Sequence, residues 1–460
     1  MNGARLAWDL LRAEGARGLA ERLAERIGAL KERLEERSVR PEQLAREAGP
    51  VPVLDVLATP FAPRFGGVPV QLGARRAEEA RLRPTALLAP ESGSWTLRAT
   101  RGGEALRARL GPVTAAADPS VGLREGAEPV LEAARLVGAG IVNVEGVSGW
   151  PPAALGDLAG TSLRLVVSLH DFALCCPRPN LVELPRVRFC GFSRDAGRCR
   201  ACLAATWSLP EGHLEGWRRD AKALLAAADA VVYPSEYLRR QHAVLFPGVR
   251  AGIERVLAPP APGDHAAGPV AATRHLACGE AARVAFVGAS RPHQGALVFE
   301  ELVRSWTAAS RPVRWSILGS GEPALARRAR AWGIRVEGHY RAGSLARRLR
   351  EEEVDVALLL SIWPETFGLT LSECRSAGVP VVAFAHGAIA ERVAADGGGL
   401  LVPPEDGAAG VGEVLESLLS GTIDVPPLRG EACGLSPDRA ALERTALYRT
   451  LLGTVDRGET

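Results

Sequence analysis

Two glutamates, Glu365 and Glu373, stand on either side of Gly368 in a segment that joins an apolar run ending at Ser361 to a helix predicted to begin near Leu369. The first turn of a helix offers unpaired backbone N–H groups and the positive end of the helix dipole, which together bind phosphate. Glycine lets a backbone approach such a ligand closely. Carboxylates accept hydrogen bonds from sugar hydroxyls, so the segment is suited to a sugar-linked phosphate. On spacing alone, two ordinary surface acids are the preferred interpretation.

A second glycine-containing segment lies upstream, in VAFVGASRPHQGALVFEELV at 284–303. Its pattern predicts a strand, a loop from Gly288 to Gly295 and a helix. Arg291 and His293 lie within the loop and are candidates to carry positive charge there, and Gln294 precedes the second glycine. Gly319 and Gly321 in ILGSGEP suit a turn after a strand, and Tyr340 and Arg341 lie in the later segment VEGHYRAGSLARRL. A plain loop is the alternative interpretation of both segments.

The N-terminal half places polar residues after predicted strands as well. His170 and Asp171 end the run RLVVSLHDF, and Gly67 lies in a Gly-Gly pair that follows the run VPVLDVLATPF. A lone histidine is usually structural, and two glycines also suit a tight turn. Ser235 is predicted to cap the helix that follows it.

Four cysteines cluster in the same half: Cys176, Cys190, Cys199 and Cys202. Cys199 and Cys202 form a CxxC pair, whose two sulfurs can share one tetrahedral zinc ion. Free thiols or a redox pair are the alternatives, with Cys175 as a fifth nearby thiol. Clustered cysteines in a reducing compartment favour structural zinc.

The elements that must position these residues alternate between strand and helix along most of the 460-residue chain. Alternation of this kind predicts an α/β fold with parallel sheets, whose ligands bind at the carboxyl ends of strands. A Pro-, Ala- and Gly-rich break separates two such series, so the gap between two domains is the default ligand site. The predicted boundaries are a helical extension 1–50, a Rossmann-like domain 51–256 with a Cys-rich insertion 175–203, a linker 257–282, a second Rossmann-like domain 283–430 and a C-terminal helix 431–460.

The helix predicted over residues 4–37 repeats Leu19, Leu23, Ile27, Leu30 and Leu34 every three or four positions. This apolar stripe is interpreted as packing on its own domain or in a short coiled coil, since amphipathic helices usually cover a core. Contact with a membrane surface or a partner is the alternative.

Bulk composition limits the function classes. A net charge of +3 is too small to indicate a nucleic-acid-binding protein. No run approaches the roughly 20 apolar residues of a membrane span, and the first residues lack the apolar core of a signal peptide. These features predict a cytoplasmic protein, with peripheral contact to the inner face of the membrane left open.

The sequence PETFGLTLSE, followed by AGVPVVA and GAIAERV, resembles the donor-binding motif of retaining glycosyltransferases of the GT-B fold, the family grouped as "glycosyl transferases group 1" (family 4 type). The resemblance implies two Rossmann-like domains facing across a cleft. It implies that Glu365 faces the reacting end of the donor sugar, that Phe367, Gly368 and Leu369 present backbone to its diphosphate, and that Glu373 binds the ribose. The other donor-side residues it implies are Gly67, Gly288, Arg291, His293, Gln294 and Tyr340, with His170 near the transferred sugar as a second catalytic residue. Tyr340 and Arg341 lie in the segment that the resemblance places beside the nucleotide base.

The family also supplies the expected reaction. A hexosyl group would pass from a UDP- or GDP-sugar to a glycan or lipid-linked acceptor with retention of configuration and without a catalytic metal, in surface polysaccharide assembly. A subset of the family carries a similar HD motif and Cys-rich insertion, consistent with zinc. Oligomeric state is not implied.

Two positions depart from the family pattern: Ala289 and Gln294 stand where an arginine and a lysine are usual. A departing nucleotide diphosphate needs a cation, so a catalytically degenerate binding or scaffold protein is the alternative. A sugar-nucleotide epimerase of the same fold would lack PETFGLTLSE.

Overall fold

The computed structural model describes residues 3–61, 67–113, 126–261, 280–429 and 434–453. The chain forms two compact units. Unit 1 comprises Met1–Ala29, Arg186–Phe189 and Ala261–Leu435, and unit 2 comprises Leu30–Pro185, Cys190–Pro260 and Ser436–Thr460. The residues of the predicted helical extension are therefore divided between the two units. Most of the predicted linker, 262–279, lies outside the described residues.

The helices alternate with strands as the sequence predicts. In chain order the helices are α1 Gly3–Glu35, α2 Pro41–Ala48, α3 Gly67–Leu82, α4 Glu128–Val137, α5 Pro152–Gly156, α6 Ala196–Ala204, α7 His213–Ala227, α8 Glu236–Leu245, α9 Ala296–Ala308, α10 Pro323–Ala331, α11 Leu345–Glu351, α12 Leu369–Ala377, α13 Gly387–Asp396, α14 Gly407–Leu419 and α15 Pro437–Leu452. The strands are β1 Arg37–Ser38, β2 Val53–Val56, β3 Thr85–Glu91, β4 Ser94–Arg101, β5 Glu104–Pro112, β6 Ile141–Glu145, β7 Arg164–Ser168, β8 Val182–Glu183, β9 Arg188–Phe189, β10 Ala230–Tyr233, β11 Ile253–Val256, β12 Ala282–Val287, β13 Val313–Leu318, β14 Arg335–Gly338, β15 Val356–Leu359, β16 Val381–Phe384 and β17 Gly399–Val402.

Unit 1 is built on a six-stranded parallel sheet in the order β14-β13-β12-β15-β16-β17. Alternate residues of its strands enter different hydrophobic clusters: Val284 and Phe286 pack with residues of α9 and α14, whereas Ala285 and Val287 pack with residues of α11 and α12. Successive residues of a strand point to opposite faces of the sheet, and here both faces are buried. For that reason each strand is a continuous apolar run in the sequence. The sheet is thus covered by helices on both faces, as a Rossmann-like fold requires.

Unit 2 contains a nine-stranded mixed sheet in the order β1-β5-β4-β3-β2-β6-β7-β10-β11. The sequence pattern predicted parallel strands, but β3, β4 and β5 form an antiparallel meander. Its first turn is Ser92-Gly93 and its second is Gly102-Gly103, with positive φ at all four residues. Two-residue hairpin loops require such φ values, so the ESGS and RGGE sequences carry the signal for these hairpins.

The last helix, α15, completes the core of unit 2. Leu447 and Tyr448 are buried in one cluster with Val53, Ile141 and Val166 from the central strands. Helix α15 lies within the segment 431–460, for which the sequence predicts a C-terminal helix.

Helix α1 confirms the helix predicted at the N-terminus, but its apolar stripe does not pack as expected. Leu23, Ile27, Leu30 and Leu34 are 50%, 67%, 57% and 78% exposed. The interpretation that this stripe covers the protein's own core is wrong, because Glu21 and Glu25 on the opposite face of the helix make the contacts to unit 1 residues. Among the described residues, α1 included, no helix combines the length and apolar character needed to cross a bilayer.

Candidate functional site

The loops after β12 and β15 meet at the position in the unit 1 sheet where the strand order reverses. From β12 the chain proceeds to β13 and β14 on one side, and β15, β16 and β17 lie on the other. The Ile362 N–H donates to the His293 carbonyl at 3.1 Å, which ties the two loops together. Open α/β sheets bind ligands at this reversal point.

Gly295 allows the two loops to approach. Its φ is +90°, and a Cβ atom there would lie 1.9 Å from the carbonyl oxygen of Leu360. An L-residue would clash and be strained at once, so glycine is required.

Glu365, Ser361 and Gln294 form a contact chain between the loops. The Ser361 hydroxyl lies 2.8 Å from Gln294 Oε1 and also contacts Glu365 Oε1. The Ser361 hydroxyl has one hydrogen and can donate it to only one of these two oxygens. Both contacts are hydrogen bonds if the Gln294 amide is turned so that its N–H donates to Ser361, or if Glu365 is protonated and donates to Ser361. Burial raises the pKa of Glu365, and the hydrogen bond from Ser361 opposes that change. Ser361 therefore links Gln294 to Glu365, the predicted catalytic glutamate.

The charge of the β12 loop rests on Arg291. Burial, with Arg291 nearby, lowers the pKa of His293 below its ordinary value, so His293 is neutral at pH 7. Arg291 itself is exposed. Of the two residues predicted to supply positive charge, the arginine alone carries it at neutral pH.

The start of α12 is held by Arg392, which the sequence analysis did not single out. Its guanidinium donates to the carbonyls of Phe367 and Gly368 at 3.2 and 3.0 Å and lies 4.1 Å from the centroid of the Phe367 ring. Gly368 precedes the helix with φ +79°, and Leu369 and Thr370 in the first turn are half-buried. The sequence feature that could have identified Arg392 as part of the site is its position in the motif GAIAERV.

Glu373 points into unit 1. Its side chain accepts hydrogen bonds from the backbone N–H groups of Gly343, at 3.0 Å, and Leu345. The residue is 4% exposed, and burial raises its pKa from 4.5 to about 8. In this arrangement Glu373 fixes the start of α11, and ribose binding by Glu373 stays a prediction.

Tyr340 packs against the core cluster that contains Leu345 and Leu371, and burial raises its pKa well above the ordinary value. Arg341 is exposed, and its backbone N–H donates to Glu21 of α1 at 2.8 Å. The segment predicted to adjoin a nucleotide base therefore has α1 as a neighbour.

In unit 2, His170 follows β7 and contacts Glu145 at the end of the adjacent strand β6. The distance between His170 Nε2 and Glu145 Oε2 is 2.9 Å. Glu145 also accepts from Arg75 at 2.7 Å and from Asn143 at 2.6 Å. Burial opposes its charged form, but Arg75 and the His170 hydrogen bond outweigh burial and hold the pKa of Glu145 below its usual range. His170 is thus held by a buried carboxylate.

This group lines an open cavity of unit 2 together with Ser168 and Arg444. Arg444 donates to the Ser168 hydroxyl at 2.6 Å and comes from α15. Sequence reasoning identified His170 in this cavity and missed Glu145, Arg75 and Arg444, which lie far apart in the chain.

Asp171, the neighbour of His170, is turned inward. It accepts from the Ser148 hydroxyl at 2.5 Å and from the Ala173 N–H at 2.8 Å, and burial raises its pKa. Gly67 begins α3 and is exposed, whereas Gly66 lies outside the described residues. Ser235 caps α8 by accepting from the Leu238 N–H, as predicted.

Residues 281–420 match a family model described as "Glycosyl transferases group 1". The match covers less than a third of the 460-residue chain. The resemblance to this group of glycosyl transferases, predicted from PETFGLTLSE, is confirmed for this part of the chain, which holds Glu365, Glu373 and Gly295. No curated protein matches the chain.

Solved structures resemble the chain at low identity. Sucrose-phosphate synthase from Thermosynechococcus elongatus is 18% identical with a TM-score of 0.57, covering 88% of this chain and 100% of that one. The catalytic domain of starch synthase IV from Arabidopsis thaliana, bound to ADP and acarbose, is 12% identical with a TM-score of 0.53 and coverages of 88% and 100%. Anabaena HepE in complex with UDP-glucose is 14% identical with a TM-score of 0.52 and the same coverages. The fold is that of GT-B glycosyltransferases, α/β with two Rossmann-like units.

The predicted zinc ligands lie around one cavity of unit 2. Cys176, Cys190, Cys199 and Cys202 all line it, beside Cys175. Burial favours the protonated thiol at two of them, since it raises the pKa of Cys190 and raises that of Cys176 to about 12. Within the described ranges, no group of three or more His, Cys, Asp or Glu side chains is placed to hold a metal ion. The four thiols are nevertheless of the donor type that zinc prefers, and they line one cavity.

Proposed function

We propose that the protein is a glycosyltransferase that takes its sugar from a nucleotide-sugar donor bound by unit 1. The observation that carries this proposal is the meeting of the β12 and β15 loops at the sheet reversal point, beside the start of α12 and Glu365. The group 1 match over residues 281–420 includes all of these elements.

The donor diphosphate would be held by the amide groups at the start of α12 and by the Gly288–Gly295 loop. Gly368 and the Arg392 contacts set the direction of that helix start. Arg291 adds the positive charge that stabilises the departing nucleotide diphosphate. Anabaena HepE was solved with UDP-glucose and starch synthase IV with ADP, which supports a nucleotide-sugar donor for this chain. We take a UDP- or GDP-sugar as the donor.

For the transfer step we assign Glu365 to the reacting end of the donor sugar. Burial favours its protonated form, in which it donates a hydrogen bond to a sugar hydroxyl. His170 is assigned to the transferred sugar, with Glu145 as the positioning residue that fixes the imidazole orientation. The reaction would retain configuration and would use no catalytic metal.

The acceptor and cellular role rest on the family resemblance. We propose a hexosyl transfer to a glycan or lipid-linked acceptor during surface polysaccharide assembly at the cytoplasmic side.

We also propose that the four clustered cysteines bind structural zinc. Thiolates are preferred zinc ligands. To bind the ion, each Sγ atom would have to move to about 2.3 Å from it. Metal binding would deprotonate thiols whose pKa burial now raises. Metal analysis of protein purified without added metal should find one zinc per chain. Absence of zinc, with the Cys199→Ser variant folding normally, would refute the proposal.

Gln294 favours a second candidate, a binding or scaffold protein that has lost catalysis. Gln294 is neutral where a lysine is usual, and His293 is neutral as well, so the loop holds less charge than an active site of this family.

A thermal-shift panel of UDP-, GDP- and ADP-sugars tests donor binding. A ligand at 100 times its dissociation constant should stabilise the protein by about 2.7 kcal/mol. Release of nucleoside diphosphate from the stabilising donor then separates enzyme from scaffold. Wild type should turn over, Glu365→Gln should bind without turnover, and Glu405→Gln, an exposed acid in the same unit, should behave as wild type. No shift with any donor would refute the proposed function, and a shift without turnover in wild type would favour the scaffold.

A further inference from the structure

Helix α1 has two chemically different faces. Glu21 accepts from the Arg341 N–H at 2.8 Å, and Glu25 lies 2.7 Å from His339 Nε2. Arg17 contacts Glu351 and lies 3.5 Å from Glu352. All of these contacts lie within unit 1, so the ionic face of α1 is the one attached to protein.

The apolar stripe of α1, Leu23, Ile27, Leu30 and Leu34, lies on the opposite side. At 100° per residue these four positions fall within a sector of about 60°, roughly 150–200° from the sector of Glu21 and Glu25. Along the helix the stripe extends about 16 Å, at 1.5 Å per residue. All four side chains are at least half exposed, whereas a stripe of this kind normally faces a core. In an ordinary surface helix the apolar face packs on protein and the charged face is exposed; in α1 the two faces are exchanged.

Basic residues flank the stripe. Arg26 and Lys31 are exposed, and each lies about 70° from the stripe's centre, on opposite sides. The acids Glu21 and Glu25 face unit 1 instead. This arrangement of an apolar band between cations is typical of helices that lie in the surface of an anionic bilayer.

We propose that the exposed stripe of α1 binds the surface of an anionic phospholipid bilayer, with Arg26 and Lys31 at the level of the lipid phosphates. Charge decides between this occupant and a second copy of the chain. Two stripes facing each other would place Arg26 and Lys31 of one copy beside the same cations of the other, and like charges across an interface are unfavourable. An anionic bilayer complements both flanks at once.

The test is vesicle flotation of the full-length protein, with vesicles of 30% phosphatidylglycerol in phosphatidylcholine and with vesicles of phosphatidylcholine alone. Wild type should float with the anionic vesicles and bind neutral ones at least tenfold more weakly. Ile27→Glu should reduce binding at least tenfold, because it places an acid in the centre of the stripe. Lys31→Ser should reduce it about fivefold, the equivalent of about 1 kcal/mol for one basic residue near an anionic surface.

Val244→Glu is the matched control, because Val244 is 66% exposed against 67% for Ile27 and lies on α8 of unit 2. It should float as wild type does. Equal loss in both variants, or no flotation of wild type, would overturn the proposal. Light scattering that shows a wild-type dimer, dissociated by Ile27→Glu, with no flotation would assign the stripe to a second copy.

The proposal stands apart from the proposed function. The donor-induced thermal shift of Ile27→Glu should equal that of wild type, which also shows that the variant is folded. Loss of flotation with a normal donor shift supports the lipid surface, whereas loss of the donor shift alone bears on the donor site.

Discussion

Replacement of Glu373 by glutamine should make the protein more stable, and increasingly so as pH rises. The carboxyl group is 4% exposed and its pKa rises from 4.5 to about 8 on folding. Between these two values the unfolded chain has released a proton that the folded chain still holds, so stability falls as pH increases. Glutamine has no proton to release, and its Oε1 can still accept from the Gly343 N–H.

The size of the effect follows from the two pKa values. At about 1.4 kcal/mol per pKa unit, Glu373 costs about 1 kcal/mol at pH 5, about 3 kcal/mol at pH 7 and about 5 kcal/mol at pH 9. For a unit of this size, 1 kcal/mol moves Tm by roughly 2–4 °C. The Tm advantage of Glu373→Gln over wild type should therefore widen by on the order of 10 °C between pH 5 and pH 9.

Thermal unfolding of both proteins at pH 5, 7 and 9, without ligand, measures this difference. Other titrating groups are common to both chains and cancel in the comparison. Glu405→Gln changes an exposed acid of unit 1 and should show no widening. A Tm difference that stays constant with pH, or a variant less stable than wild type at pH 9, would refute the buried, protonated state of Glu373. If Glu373 also binds the donor ribose, the stabilised variant should lose donor affinity.

Three further changes have expected outcomes. Gly295→Ala should destabilise unit 1 well beyond the roughly 1–2 kcal/mol that Gly333→Ala costs, because both glycines have positive φ but only Gly295 meets a carbonyl oxygen at its Cβ position; equal Tm losses would contradict the clash. Arg392→Met should weaken the hold on Phe367 and Gly368 by about 1.5–3 kcal/mol, seen as faster amide exchange at residues 365–370; unchanged exchange would show that the contacts are dispensable. His170→Gln keeps a donor for Glu145, so Tm should hold while turnover falls at least about 100-fold; wild-type turnover would remove His170 from the chemistry.

The strand–helix alternation of unit 1 could be predicted because its strands are buried on both faces and most of its helices begin at, or directly after, a glycine or proline. The same alternation predicted helical sequence between β3 and β6, and it therefore missed the hairpins around Gly93 and Gly102. The loops of the donor-side region were located from their motif.

Side-chain partners were less accessible to sequence reasoning. Arg75, Glu145 and Arg444 meet only because β6, α3 and α15 come together in unit 2, and no local pattern encodes that. For Glu373, the motif indicated an acid but not that α11 would enclose it. Whether the apolar stripe of α1 faces protein or solvent depends on which face of the helix contacts residues such as Arg341 and His339. Periodicity alone does not determine this.

The place of α15 in unit 2 has a consequence for synthesis of the chain on the ribosome. Val53, Ile141 and Val166 share one cluster with Leu447 and Tyr448, so that cluster stays incomplete until nearly the whole chain has been translated. At 5–20 residues per second, the stretch from the end of β11 to α15 takes roughly 10–40 s to make. During that time the apolar residues of this cluster that have already been translated remain exposed on the nascent chain. A ribosome-bound chaperone would be expected to bind this surface.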